Sequence, residues 1–319
     1  MVCKLWRRVA LENPQLWSHI DIGPVAPVAL SKLLLERSRD TPIHIHICEP
    51  EIDSDDLLEL SCLIQDAMHV IPMLEPHISR VRSIDFLALV DYTELLASTL
   101  DLWLESGSPT LVKSLIIFRP FCEYVAFIEP PKSSNEFTHG TNNSDEVLRS
   151  LRILQLRNVL IPGDSPAYQG LVDLRLDFEA SKVLLLANQL TTILAANPAL
   201  IVLKLAYLTI TPSEKGTQPT PRTLEHLQLL DIQRISPESL LFILPLITLP
   251  ISQNVRAHFP ADGQSHDTLK EFLEINQIAQ LSYCNCFHDM EPPSPLLLRS
   301  LSNVTTQLVL EQIEVLAGQ

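Results

Sequence analysis

Cys284-x-Cys286-x-His288 is the place in this chain where soft metal ligands crowd together. Thiolate and imidazole suit zinc, and alternating residues on a strand share one face. A structural zinc site takes four ligands, and no second Cys/His pair lies nearby in sequence. No metal is therefore expected. His44 and His46 alternate with Ile43, Ile45 and Ile47. That spacing predicts a half-buried strand with its imidazoles on the solvent side. Glu49, Glu51, Asp53, Asp55 and Asp56 precede a helix-like segment, where carboxylates complement the N-terminal dipole. The D-x-D-D spacing hints at calcium, but the required glycine and the closing glutamate are missing.

Catalytic spacing is equally sparse. No G-x-S-x-G or H-E-x-x-H occurs. The eight glycines never fall two or three apart, so neither G-x-G-x-x-G nor a Walker-type loop can be written. The expectation is a non-enzyme without a cofactor. The net charge of -15, with no basic block, argues against nucleic acid, which needs clustered Lys and Arg. An apolar fraction of 46% is too high for a disordered chain. The uncharged stretch Val183 to Leu203 is interrupted by Asn188, Gln189, Asn197 and Pro198. It predicts a helix, a turn and a strand rather than a membrane span. Leu240 to Ile251 is too short to span and holds Pro245 and Pro250. Lys4, Arg7 and Arg8 are followed by no apolar signal region. The six cysteines then read as reduced thiols in the cytoplasm and/or nucleus.

What would position any functional residue is a recurring L-x-x-L-x-L. Of the 319 residues, 57 are Leu. The motif appears at Leu151/Leu154/Leu156, Leu171/Leu174/Leu176, Leu200/Leu203/Leu205 and Leu224/Leu227/Leu229, with starts 20, 29 and 24 apart. Weaker forms are Val81/Ile84/Phe86, Val112/Leu115/Ile117, Ile278/Leu281/Tyr283 and Thr305/Leu308/Leu310. Helices are predicted over 55–70, 93–105, 180–196, 237–244 and 265–274. Strand-then-helix alternation at this period predicts an α/β leucine-rich-repeat solenoid, an irregular horseshoe of parallel strands with helices on the convex side. One repeat cannot bury its own apolar face, so stacking must supply the core. A doubly wound α/β domain is the competing architecture, disfavoured by the missing Gly-rich turns. Asn158 alone sits where an asparagine ladder would run; Phe178, Tyr207 and Asp231 hold the like places. Polar stretches over 129–147 and 211–222 read as surface insertions.

The first residues do not follow the repeat. Val2, Leu5, Trp6 and Val9 share one face of a short predicted helix; Pro14, Leu16, Trp17 and Ile20 follow. The series Val2-Cys3, Trp6, Ala10, Pro14, Leu16-Trp17 and Ile20 resembles the C-terminal half of an F-box. The Leu-rich chain after it is similar to fungal F-box-like proteins with leucine-rich repeats. The division expected is a partial F-box over 1–24 and a repeat domain over 25–319. The first half of that motif, with its L-P-x-E start, is absent from this sequence.

The resemblance implies a non-catalytic substrate-recognition subunit of a cullin-type (SCF) ubiquitin ligase. Its partners would be the small adaptor protein and an unknown protein target. Val2, Leu5, Trp6, Val9, Leu16 and Trp17 would contact the adaptor or pack the motif onto the first repeat. The alternative is a repeat scaffold with no ligase role. Target binding is expected on the outward strand positions Gln155, Arg157, Asp173, Arg175, Asp177, Lys204, His226 and Gln228, with Gln155/Arg175/Lys204/Gln228 forming one polar-to-basic column.

Overall fold

The computed structural model describes residues 3–23, 27–48, 70–87, 93–119, 126–127, 143–179, 183–212, 221–249, 256–260, 266–276, 280–284 and 307–311. It is an α/β protein that divides into two compact units, Met1–Ala167 and Tyr168–Gln319. Each is built on parallel strands joined by crossovers.

In the first unit the strands His19–Ile22, Ile43–Cys48, Val81–Leu87, Ser114–Phe118 and Ile153–Arg157 pair side by side in chain order, all parallel. Their inward positions are Ile20 and Ile22; Ile43, Ile45 and Ile47; Ile84 and Phe86; Leu115 and Ile117; Leu154 and Leu156, all buried. Each such side chain contributes roughly 1.5–3 kcal/mol. Parallel strands require crossovers. Here these include the helices Val28–Arg37, Thr93–Ser106 and Asn143–Arg149. The last begins within the polar 129–147 segment, so that expected insertion ends in ordered helix.

The helix ends are tied down by polar side chains. The Arg80 guanidinium donates to Leu35 O at 2.9 Å, Thr41 O at 3.0 Å and Ser38 Oγ at 2.8 Å. It thereby satisfies groups at the end of Val28–Arg37 that helix geometry leaves open. Asn143 Nδ2 does the same at the end of Thr93–Ser106, donating to Leu104 O at 3.0 Å and Gly107 O at 3.2 Å. A Cβ at Gly107 would lie 2.4 Å from Trp103 O, so the chain can leave this helix only through glycine.

In the second unit Asp173–Asp177, Val202–Ala206, Leu229–Gln233, Arg256–Pro260, Gln280–Cys284 and Gln307–Glu311 are likewise parallel neighbours in chain order. The register aligns Leu174 with Leu203 and Leu230, and Leu176 with Leu205 and Ile232. This corrects the fourth predicted triplet. Leu230 and Ile232 are fully buried, while Leu229 is half-buried on the outward side. Leu227 opens the motif, and the starts lie 20, 29 and 27 apart. Leu224 is buried from the preceding turn, where its carbonyl accepts from Leu227 N at 3.1 Å. Sequence spacing could not separate two overlapping Leu series; pairing with Leu203 and Leu205 does.

A second correction concerns the helix predicted over 180–196. Val183–Leu186 is a strand, paired with Leu208–Thr211, and the helix is Ala187–Ala195. Leu185 is buried between exposed Leu184 and Leu186, a period of two that a helix would not give. The helices expected near 93–105, 237–244 and 265–274 appear as Thr93–Ser106, Pro237–Ile243 and His266–Asn276. Most of the 55–70 helix, the acidic residues Glu49 to Asp56, and Cys286 and His288 lie outside the described residues. Among the described residues no helix is long and apolar enough to cross a membrane.

One device recurs where the chain leaves a sheet strand. Asn158, Tyr207 and Arg234 all adopt positive φ (53°, 57° and 50°), each two residues after the last inward residue, Leu156, Leu205 or Ile232. Non-glycine residues rarely hold this conformation, which costs roughly 1–2 kcal/mol. The following hydrogen bonds offset it. Arg119 N donates to Arg157 O, Phe178 N to Ala206 O and Tyr207 N to Gln233 O, at 3.1–3.2 Å. Asn158 adds its own side chain, donating from Nδ2 to Arg119 O at 2.7 Å.

Candidate functional site

Three surfaces carry candidate chemistry, and each grows from the local sequence. The first is the N-terminal helix, Lys4–Glu12. Cys3 Sγ accepts from Trp6 N at 3.5 Å and caps it. Asn13 Oδ1 then accepts from Gln15 N at 3.2 Å, and Pro14 starts a single 3-10 turn, Pro14–Trp17. Trp17 is held: its indole Nε1 donates to Ala10 O at 2.6 Å, and the Arg37 guanidinium lies 4.6 Å over its ring. The other expected contact residues point away from the fold. Trp6 is 68% exposed, Leu16 60% and Leu5 59%, with Val9 also exposed. Val2 lies outside the described residues. The five described residues thus split into one that packs and four that stay exposed.

The second surface is the outward strand side of the second unit. Arg175 forks onto Asp173, donating to both carboxylate oxygens at 2.9 Å. Lys204 lies 3.9 Å from Asp231, which also accepts from Gln233 Nε2 at 2.8 Å. Of the residues expected here, Asp173, Arg175, Asp177 and Lys204 are on strands and half-buried. His226 and Gln228 are not; they sit exposed in the turn before the strand. The column in the second unit is therefore Arg175, Lys204 and Asp231 rather than one ending in Gln228. Its cations are already matched by carboxylates. Gln155 and Arg157 belong to the first unit, where Arg157 stacks 4.5 Å over the Phe118 ring.

The third surface is a shallow groove of about 220 Å³ on the outward strand side of the first unit. Strand register builds it from two rows. His19, His44, Ser83 and Ser114 are successive neighbours in one; Asp21, His46, Asp85 and Ile116 form the other. Neighbouring strands stand about 4.7–4.9 Å apart. That spacing stacks the His19 and His44 rings, with centroids 4.7 Å apart and planes 10° from parallel. His44 Nδ1 lies 2.7 Å from Ser83 Oγ, and His46 Nδ1 3.2 Å from Asp21 Oδ1. Arg82 is the extra residue where the pairing slips between Ile43 and His44, and its charge acts on the groove from the His44 end.

Burial, then His19 and Arg82, push the His44 imidazole below its ordinary value of 6.5. Burial pushes the Asp85 carboxyl up, and His46 opposes that shift. The strand expected to carry His44 and His46 outward does so. His19, Asp21, Ser83, Asp85 and Ser114 were not singled out from sequence. The signal was present: His19-x-Asp21, His44-x-His46 and Ser83-x-Asp85 occupy the same outward phase, but only pairing places them side by side. His44 and Ser83 form a contact that a nucleophile and base could use. However, Asp21 holds His46 rather than His44, so in this groove neither of those two histidines is both oriented by a carboxylate and in contact with a serine. Among the described residues no group of three or more His, Cys, Asp or Glu could hold a metal ion.

The chain matches no protein-family model and no curated protein.

Proposed function

We propose that this chain is a non-catalytic protein-interaction module, and that it serves as a substrate-recognition subunit of a cullin-type (SCF) ubiquitin ligase. The observation that carries the reading is the free apolar face of Lys4–Glu12. Leu5, Trp6 and Val9, joined by Leu16 from the following turn, remain exposed, whereas the inward rows of the described sheet strands in the first unit are buried. Exposed aromatic and aliphatic anchors of this kind mark protein contact sites. Trp17, fixed by Ala10 and Arg37, would hold that face in place. We read the remainder as a degenerate leucine-rich-repeat solenoid. Support comes from parallel strands in chain order, inward Leu in a shared phase and repeated positive-φ turns. The outward strand positions would then hold the target. Ubiquitin transfer would follow from proximity, this chain contributing binding energy alone. The localisation that suits this role is cytoplasmic and/or nuclear.

The test is binding of the full chain to the ligase adaptor. Direct association is expected, and Trp6→Ala with Leu16→Ala should weaken it by about tenfold or more. A chain that does not bind the adaptor, and still does not when upstream coding sequence is included, is a repeat scaffold instead.

A further inference from the structure

The histidine–aspartate groove of the first unit is not used by the reading above and does not depend on it. Its acidic end has an unusual imbalance. Asp85 is a half-buried carboxylate with no hydrogen-bond or ion-pair donor among the described residues beyond the electrostatic pull of His46. Asp21 flanks the same imidazole from the other side, 71% exposed. Neutral imidazoles leave this end with two negative charges. Arg82 acts electrostatically on His44, at the opposite end. Lys113 lies there too, its N–H donating to Arg82 O at 2.8 Å. On the next strand Ile116 and Ser114 bring no charge. A carboxylate that loses water without gaining a cation is unfavourable, and a cation brought to it recovers that cost.

The geometry points to this groove as a docking site for a cationic side chain, an arginine or lysine borne on a basic segment of a partner protein. The head group would lie between Asp21 and Asp85, over His46. Arginine suits it best, because a planar fork can meet both carboxylates and lie flat on an imidazole. Charge complementarity selects this occupant: an acidic segment would meet two carboxylates. The site is sensitive to pH by construction. Acidification adds positive charge to the imidazole side of the groove and so repels the same cation. Burial of Asp85 acts in the same direction, since its carboxyl takes up a proton earlier on acidification than an ordinary aspartate.

The experiment uses the full chain and a short labelled peptide alternating arginine with alanine. Peptides with glutamine or glutamate in place of arginine are the controls. At about pH 7.5 the arginine peptide should bind tightest and move the ring resonances of His19, His44 and His46. Lowering the pH to about 5.5 should weaken it by about tenfold or more. Asp85→Asn should weaken it by a similar factor. Asp21→Asn, at an exposed position, keeps the test decisive if the first variant does not fold. Equal binding of the arginine and glutamine peptides overturns the proposal. So does unchanged affinity in a folded aspartate variant, or tighter binding of the glutamate peptide than of the arginine peptide at about pH 7.5.

Discussion

The two units share a scaffold and differ in what they hang on it. Both align parallel strands in chain order with aliphatic residues inward. On the second unit's outward side, charges pair with each other: Arg175 with Asp173, and Lys204 with Asp231. On the first unit's outward side, stacked imidazoles and Asp85 are left with incomplete partners. The inward pattern builds the core of both units, and the outward residues differ between them. A self-neutralised face offers a partner little net charge to read, whereas an uncompensated one does.

The largest expected effect tests the shared scaffold itself. Leu230→Ala should destabilise the protein by about 2–5 kcal/mol, because Leu230 is fully buried opposite Leu203. Leu229→Ala should cost about 1 kcal/mol or less, since that side chain is half-exposed on the other face. Urea unfolding of the two variants measures the difference. A larger cost for Leu229→Ala than for Leu230→Ala would mean that the strand runs in the frame that L-x-x-L-x-L at Leu224 suggests, and the comparison between faces would lose its register.

That pair of residues also shows what was legible in the sequence. Inward rows such as Ile43/Ile45/Ile47 and Leu174/Leu176 can be read directly, because strict alternation with polar neighbours fixes their phase. Leu229-Leu230 cannot, because adjacent leucines satisfy both phases. The segment at 183–186 failed for the same reason: an unbroken apolar run hides its period. The groove was hidden by a different cause. Each of its pairs, such as Ser83-x-Asp85, looks like ordinary solvated strand, and only pairing among strands far apart in sequence brings His19, His44 and Ser83 into one row. Buried asparagines were missed likewise. Asn197 accepts from Leu171 N at 2.6 Å and donates to Tyr168 O and Ile193 O, and Asn276 accepts from Leu249 N at 2.6 Å. Both lock a helix end to a preceding segment, a role that no local spacing announces.

A smaller effect sharpens the contrast in the groove. His44 is harder to protonate in the fold than in the unfolded chain. As the pH falls through the ordinary imidazole value of 6.5, the unfolded chain takes up this proton first, so stability drops. His44→Gln should therefore flatten part of the fall in melting temperature between neutral and mildly acidic pH. His77, lowered by burial and by Arg80, retains its share of the slope. Asp85, raised by burial, acts with the opposite sign in the carboxylate range, where the folded state gains its proton first. An unchanged slope in His44→Gln would show that the imidazole stack is fully solvated.

The smallest effect belongs to the second unit, and its smallness is the point. Lys204 approaches Asp231 only to 3.9 Å, and its side chain is 27% exposed. Such pairs are typically worth about 0–1 kcal/mol, and salt screens them. Lys204→Met keeps the aliphatic stem along the sheet and removes the charge. It should shift stability by less than about 1 kcal/mol. Asp231 keeps the Gln233 amide as a donor at 2.8 Å, so its carboxylate is not stranded by the change. A loss well above that figure would mean that Lys204 compensates Asp231 as a buried charge. The second unit's face would then hold its ions as tightly as the first unit's face lacks one for Asp85, and the contrast between the two would deepen from difference in pairing to difference in burial.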